Sequence, residues 1–179
     1  SFEYNDVLIA VAFATSSGTS RIGGELHRFT SRGGAARVVC GINNGITSKQ
    51  AVEHLHQAGA EVFGVDPGSG LLFHEKIYRV MGPKRAMLIV GSNNLTATGL
   101  YEHLEAATIL ELDPRIASER SLLNDVSDHL SSLQNNFPAN FQSISPREID
   151  IFVHDGRLRD ELAEPVMQDE ASAIGRNPE

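Results

Sequence analysis

The chain has 179 residues, of which 41% are hydrophobic, enough to bury the core of one ordinary domain. Its net charge of −8 argues against a protein that coats nucleic acid through a generally basic surface. One cysteine and the lack of a long apolar run argue against a disulfide framework, a cysteine-based zinc site and a membrane-spanning helix, so we expect a cytoplasmic protein.

The negative charge is concentrated towards the end of the chain. Residues 146–179 hold nine acidic and four basic residues, whereas residues 1–145 carry a net charge of only −3. Beyond residue 155 the chain is also rich in charge and has no aromatic residue. These features predict one folded domain over residues 1–155 and an acidic C-terminal tail or linker over residues 156–179.

The first 65 residues predict alternating strands and helices. Runs of β-branched and small apolar residues predict buried strands over residues 7–15, 36–41 and 61–65. Helices are predicted between them, over residues 22–30 and from about residue 49 to His56. Ser16 to Gly18 are expected to form a turn, Thr47 or Ser48 to cap the second helix, and Gly59 to end it. This order predicts an α/β fold in which a mostly parallel or mixed sheet has helices on both faces.

The second half predicts further strands followed by a long helix. Residues 71–80 are expected to form a strand in which His74 and Lys76 share a face. After a turn, a strand over residues 86–90 brings the polar residues 91–94 to its end, where open α/β sheets usually bind ligands. The remaining predicted elements are a strand over residues 105–112, an amphipathic helix over 114–134 and an edge strand over 149–153.

Five chemically different side chains occur within residues 73–105. They are an imidazole, an ammonium, a hydroxyl, an amide and a carboxylate: His74, Lys76, Ser92, Asn94 and Glu105. Cleavage of a phosphodiester without a metal needs a nucleophile, a proton donor and groups that hold phosphate oxygens. The set contains each kind, and it predicts a phosphodiesterase, in particular a nuclease.

Each part of this set also has a plainer explanation. A histidine on an apolar strand is commonly a hydrogen-bonded core residue, and residues 91–94 alone are typical of a polar turn. Glu102 and His103 are alternatives to Glu105 as the partner of His74. The occurrence of Lys76 two residues after His74, with the serine and asparagine downstream, favours the catalytic interpretation.

The pattern H-x-K followed by G-S-x-N resembles the signature of the phospholipase D superfamily. One branch of this superfamily contains metal-independent nucleases and catalytic domains of type II restriction endonucleases. The sequence resembles that branch in residues 91–96, in the pair Gly99-Leu100 and in the carboxylate at Glu105. The resemblance covers roughly residues 4–112 and favours Glu105 over its neighbours. One departure is that the family's aspartate, five residues after the lysine and generally regarded as structural, is replaced here by Met81.

The resemblance implies an α-β-α sandwich that works as a homodimer, because the family's site needs two motifs and this chain has one. It implies that His74, oriented by Glu105, attacks phosphorus to form a phosphohistidine while His74 of a second copy protonates the leaving oxygen. Lys76, Ser92 and Asn94 would hold the phosphate oxygens, and neither a metal nor another cofactor would be needed.

DNA is the expected substrate, and a separate or missing domain is expected to recognise its sequence, because an acidic surface offers few groups for reading bases. The tail could instead cover the site. Two alternatives stay open. One is a related phosphodiesterase acting on RNA or phospholipid, although no basic amphipathic helix favours a membrane. The other is a catalytically silent dimerisation or DNA-binding module, which Met81 favours and the intact set of polar residues disfavours.

Overall fold

The computed structural model describes residues 3–43, 45–68 and 70–163. Within these residues, seven strands form one mixed sheet in the order β6-β5-β4-β1-β2-β3-β7. They are β1 (Asp6–Val11), β2 (Ala35–Gly41), β3 (Glu61–Val65), β4 (Lys76–Met81), β5 (Ala86–Gly91), β6 (Ala107–Leu112) and β7 (Phe141–Ser143). The neighbouring strands β1, β2 and β3 are parallel, and the other neighbours are antiparallel. The predicted α/β class with a mixed sheet is confirmed.

Helices cover both faces of this sheet. They are α1 (Ser16–Thr30), α2 (Lys49–Gln57), α3 (Ala117–Asn136) and α4 (Ile149–His154), with a π-helical turn over Thr98–Glu102. Alternate residues of β2 face opposite layers: Val38 packs in the core that α1, α2 and α4 cover, and Val39 packs towards Leu130 of α3. The strands therefore have two apolar faces, which is the pattern of a three-layer α-β-α arrangement.

The predicted β-α-β-α-β order of the first 65 residues is confirmed, with two boundaries corrected. The first strand was predicted over residues 7–15, but it ends at Val11. Ser48 caps α2 by accepting a hydrogen bond from the backbone N–H of Ala51 at 3.1 Å, and Gly59 follows with a φ of +81°. Residues 16–18 were predicted as a turn, but they form the first turn of α1. Gly18 allows this because a Cβ there would lie 2.1 Å from the Leu95 carbonyl oxygen.

Four predictions for the second half are corrected. The strand predicted over residues 105–112 begins at Ala107, so Glu105 precedes it. The strand predicted over residues 71–80 begins only at Lys76, so His74 lies in the preceding loop. The helix predicted over residues 114–134 is displaced to Ala117–Asn136. The edge strand predicted over residues 149–153 is α4, because Ile149 and Phe152, three residues apart, pack together into the core. Three residues of β7 occupy the sheet edge instead.

Part of the predicted tail packs on the domain. The backbone of Arg159 bonds to Thr47 and Lys49, and Glu161 accepts hydrogen bonds from Ser16 at the start of α1. Residues 164–179 lie outside the described residues, and the boundary at residue 155 stays a prediction. Of the helices in the described ranges, none is long and apolar enough to span a bilayer.

Candidate active site

The sheet brings the two halves of the motif together at one end of its strands. Because β4 runs antiparallel to β1, its first residue, Lys76, pairs with Val11 at the end of β1. Because β5 runs antiparallel to β4, its last residue, Gly91, lies at the same end. Residues 72–76 and 91–96, separated along the chain, therefore meet where the parallel strands end, as expected for a ligand site in an open α/β sheet.

His74 and Lys76 are in direct contact. The Lys76 Nζ lies 2.8 Å from the His74 Nδ1 and donates to the His74 carbonyl oxygen at 3.0 Å. Lys76 is buried, with 6% of its surface exposed, whereas His74 is exposed and has the Phe13 ring edge-on to it at 6.2 Å. The pair thus presents a reachable imidazole beside a shielded ammonium.

This environment keeps His74 neutral. Partial burial and then the neighbouring Lys76 charge lower the pKa of His74 below its ordinary value of 6.5. Since an ammonium can only donate, the Nδ1 that contacts it is an acceptor, and the proton of the neutral ring is on Nε2. In this tautomer His74 can donate a proton from Nε2, and to attack as a nucleophile it must expose an unprotonated nitrogen.

Asn94 is fixed by the segment between β1 and α1. Its Oδ1 accepts a hydrogen bond from the backbone N–H of Phe13 at 3.2 Å, and its side chain is 5% exposed. Its Nδ2 has no partner among the described residues, so two amide hydrogens are available for an anion. Gly99 of the π-helical turn lies so close that a Cβ would be 2.9 Å from the backbone nitrogen of Asn94.

Ser92 and Glu105 bind each other. The Ser92 hydroxyl donates to the Glu105 carboxylate and accepts from the backbone N–H of Ala106 at 3.1 Å. Within the described chain Glu105 has no hydrogen bond to His74, so the predicted orienting contact is not formed inside one protomer. His103, the alternative residue, lies 3.9 Å from Glu105. A phosphate at Ser92 would have to take over the hydroxyl proton that Glu105 now accepts.

Met81, which replaces the family's aspartate, is remote from the reacting groups. It ends β4, opposite Asp6 of β1 and Ala86 of β5, and Lys76 is at the other end of the strand. The substitution therefore leaves the contact between His74 and Lys76 in place. The resemblance implies a structural role for the family's aspartate at this position, and a place far from the reacting groups agrees with such a role.

The sequence did not reveal that Glu75 has a partner. The Nε2 of His129, a residue of α3, lies 2.5 Å from the Glu75 Oε1. The two residues are 54 positions apart, and no local pattern signals that α3 crosses this loop. In the described ranges, no group of three or more His, Cys, Asp or Glu side chains is arranged to hold a metal ion. Metal independence stays a prediction.

Comparisons with known proteins identify the fold. Neither a protein-family model nor a curated protein matches the chain. Nuc from Salmonella typhimurium, a phospholipase D family member, is similar over 79% of this chain and 82% of its own, with a TM-score of 0.56 and 14% identity. A polyphosphate kinase from Porphyromonas gingivalis is similar over 95% of this chain and 23% of its own, with a TM-score of 0.55 and 13% identity. The chain therefore has a phospholipase D-like α/β fold.

Proposed function

We propose that this chain is a phosphodiesterase that cleaves DNA without a metal ion, as the catalytic domain of a restriction-type endonuclease. The observation that carries the proposal is the direct contact of His74 with Lys76 at the end of a phospholipase D-like sheet to which β5 also brings the Asn94 segment. Cleavage of a phosphodiester needs a nucleophile and groups that stabilise the phosphate oxygens. A neutral imidazole, a cation and an uncharged hydrogen-bond donor can supply these functions.

The proposed reaction proceeds in two displacements. In the first, a ring nitrogen of His74 bonds to phosphorus, the bond to the leaving oxygen breaks, and His74 of a second copy gives that oxygen a proton. In the second, water attacks phosphorus, its proton returns to the second histidine, and the phosphorus–nitrogen bond breaks. Lys76 and Asn94 stabilise the charge on the non-bridging oxygens throughout.

The proposal requires a homodimer with the site across its two-fold axis, and a surface next to the site fits a second copy. Large apolar side chains are exposed on β5, β6 and the connection between them: Val90 (46% exposed), Tyr101 (67%), Leu104 (106%) and Ile109 (60%). We call these four residues the edge surface. A monomer rarely exposes so many large apolar groups in one part of a sheet. β6 is an unpaired sheet edge among the described strands, and because Val90 pairs with Thr108 rather than with Ile109, Val90 and Ile109 lie on opposite faces of this edge.

Cleavage of plasmid DNA in the presence of EDTA tests the proposal. The purified chain is incubated with supercoiled plasmid and, separately, with single-stranded DNA in excess EDTA. The matched variants are His74→Ala and His154→Ala, the latter at an exposed histidine on α4. We expect cutting by the wild type and by His154→Ala, and none above background by His74→Ala.

Other outcomes distinguish the alternatives. Cutting that EDTA abolishes would contradict the metal-independent mechanism. A folded, dimeric wild type that leaves DNA intact but hydrolyses RNA or a phospholipid would move the substrate to another class. If it cleaves none of the three, a silent binding module becomes the better explanation.

A further inference from the structure

A cavity of about 460 Å³ lies directly beside His74. It is enclosed by the loop before β4, the C-terminal end of α3 and the start of β7, and His74 itself is part of its wall. Most of the wall is apolar; the side chains of Leu72 and Phe137 are 43% and 56% exposed there, and Phe141 is buried behind them. The volume is within the range of small-molecule sites.

The polar groups of this wall include a carboxylate and an amide but no lysine or arginine cation. No lysine or arginine lines the cavity, so it is unsuited to a second phosphate. It contains instead the carboxylate of Glu75 and the amide of Asn140. The Glu75 Oε1 is held by His129, whereas its Oε2 is buried without a hydrogen-bond partner among the described residues. A buried oxygen of this kind is destabilising until a donor reaches it.

The position of the cavity limits what enters it. A phosphodiester whose phosphorus is within reach of His74 carries its substituents only a few bonds away, which brings a substituent within reach of this wall. In a nucleic acid that substituent is a sugar bearing a nucleobase, which has two apolar faces and a polar edge. An acyl chain would fill the apolar part equally well, but it has no donor for Glu75.

We infer that the cavity binds the nucleobase next to the scissile phosphate, with its ring stacked on Phe137 and an exocyclic amino group donating to Glu75. The inference rests on the proposed phosphodiesterase function. It adds two consequences. The base must be unstacked from its neighbours to enter, and adenine, cytosine and guanine are preferred over thymine, whose one base donor is the ring N3–H rather than an exocyclic amino group.

Binding of free nucleosides tests the cavity without any need for catalysis. Deoxycytidine and thymidine are titrated into the wild type, Phe137→Ser and Leu122→Ser, and binding is followed by nuclear magnetic resonance. Leu122 is the control because it is a similarly exposed apolar residue of α3 that is not part of the cavity. We expect deoxycytidine to bind more tightly than thymidine, and Phe137→Ser to weaken deoxycytidine binding by about tenfold while Leu122→Ser leaves it unchanged.

The Glu75→Gln variant tests the preference between bases. A glutamine amide both donates and accepts, whereas a carboxylate only accepts, so we expect the preference for deoxycytidine over thymidine to disappear. Equal binding of the two nucleosides by the wild type, or an unchanged preference in Glu75→Gln, would contradict the contact with Glu75. Binding of dihexanoylphosphatidylcholine that Phe137→Ser weakens, with no binding of deoxycytidine, would assign the cavity to an acyl chain and overturn the inference.

Hydrolysis of two esters links the cavity to the reaction. The p-nitrophenyl ester of deoxycytidine 5′-phosphate and methyl p-nitrophenyl phosphate share a leaving group, but only the first carries a base. We expect Phe137→Ser to lower kcat/KM about tenfold for the first ester and to leave it unchanged for the second. Equal effects on both esters would overturn the inference and leave the proposed function intact. Deoxycytidine binding through Phe137 in a wild type that hydrolyses neither ester would support the cavity and refute the proposed function.

Discussion

His74 combines an exposed ring with surroundings that disfavour its charged form. Partial burial and the charge of Lys76 hold the pKa of His74 below 6.5. The ring therefore stays neutral until the pH falls below this lowered pKa. The proposed mechanism needs one neutral and one protonated His74 at the same time. Because the product of the two fractions is greatest when the pH equals the pKa, we expect the activity to be highest below pH 6.5.

A pH profile of single-turnover cleavage checks this prediction, with Lys76→Met as the matched variant. The methionine keeps the length of the side chain and removes its charge, so the pKa of His74 rises and the optimum moves to higher pH while the rate falls. An optimum above pH 7 in the wild type, or no movement in Lys76→Met, would contradict this account of His74.

Asn94 and Ser92 belong to one motif but differ in their importance for folding. Asn94→Ala leaves the buried N–H of Phe13 without its acceptor, which we expect to lower the free energy of unfolding by about 1–3 kcal/mol. Ser92 is exposed, so we expect Ser92→Ala to cost less than about 1 kcal/mol. Urea denaturation of the two variants measures both values, and equal stabilities would contradict the structural part given to Asn94.

At the scale of the elements, the first turn of α1 fixes the position of the Asn94 segment. A Cβ on Gly18 would lie within 2.1–2.5 Å of the backbone of Leu95 and Thr96, whereas a Cβ on Gly23 of the same helix meets nothing within 4 Å. The two glycines therefore differ in what an alanine would do. Gly18→Ala forces α1 away from the motif, and Gly23→Ala only improves the helix propensity.

We expect Gly18→Ala to destabilise the protein by about 1–3 kcal/mol and to impair cleavage, and Gly23→Ala to stabilise it by about 0.5–1 kcal/mol with activity retained. Thermal unfolding together with the plasmid assay checks both. If Gly18→Ala is as stable and as active as Gly23→Ala, the packing of α1 against residues 95 and 96 does not position the site.

The elements that sequence patterns predicted well are those whose own residues determine them. Val38 and its neighbours in β2 are apolar on both faces, and Ser48 and Gly59 bound α2, so these elements needed no tertiary information. Residues 149–153 are different, because the same apolar residues suit a strand or a helix. Packing of α4 against the core favours the helix over the strand, and this packing cannot be predicted from the local sequence.

The candidate site also combines contacts that the local sequence determines with contacts that depend on tertiary packing. The contact between His74 and Lys76 follows from their spacing, although the pair begins in a loop rather than in a strand. The contacts of Glu75 with His129 and of Asn94 with Phe13 join residues 54 and 81 positions apart, which the sequence alone could not bring together. The cavity beside His74 depends on where α3 ends and was missed for the same reason.

For the whole molecule, the edge surface predicts self-association. Replacement of Leu104 or Ile109 by lysine puts a charge in the proposed interface, so we expect the dimer to dissociate and the activity to be lost together, with folding preserved because both side chains are exposed. Ile151→Lys, at an exposed residue of α4, is the control. Light scattering at micromolar concentration checks the mass, and an active monomer would contradict a site shared by two copies.

The most direct test of the central claim is to trap the covalent intermediate. An oligonucleotide substrate is mixed with the protein in EDTA, quenched in alkali, which preserves a phosphorus–nitrogen bond, and examined by mass spectrometry of the intact protein and its peptides. The account predicts an alkali-stable, acid-labile nucleotide adduct on His74, absent from His74→Ala. Rapid cleavage with no adduct at any quench time, or an adduct on another residue, would contradict nucleophilic attack by His74.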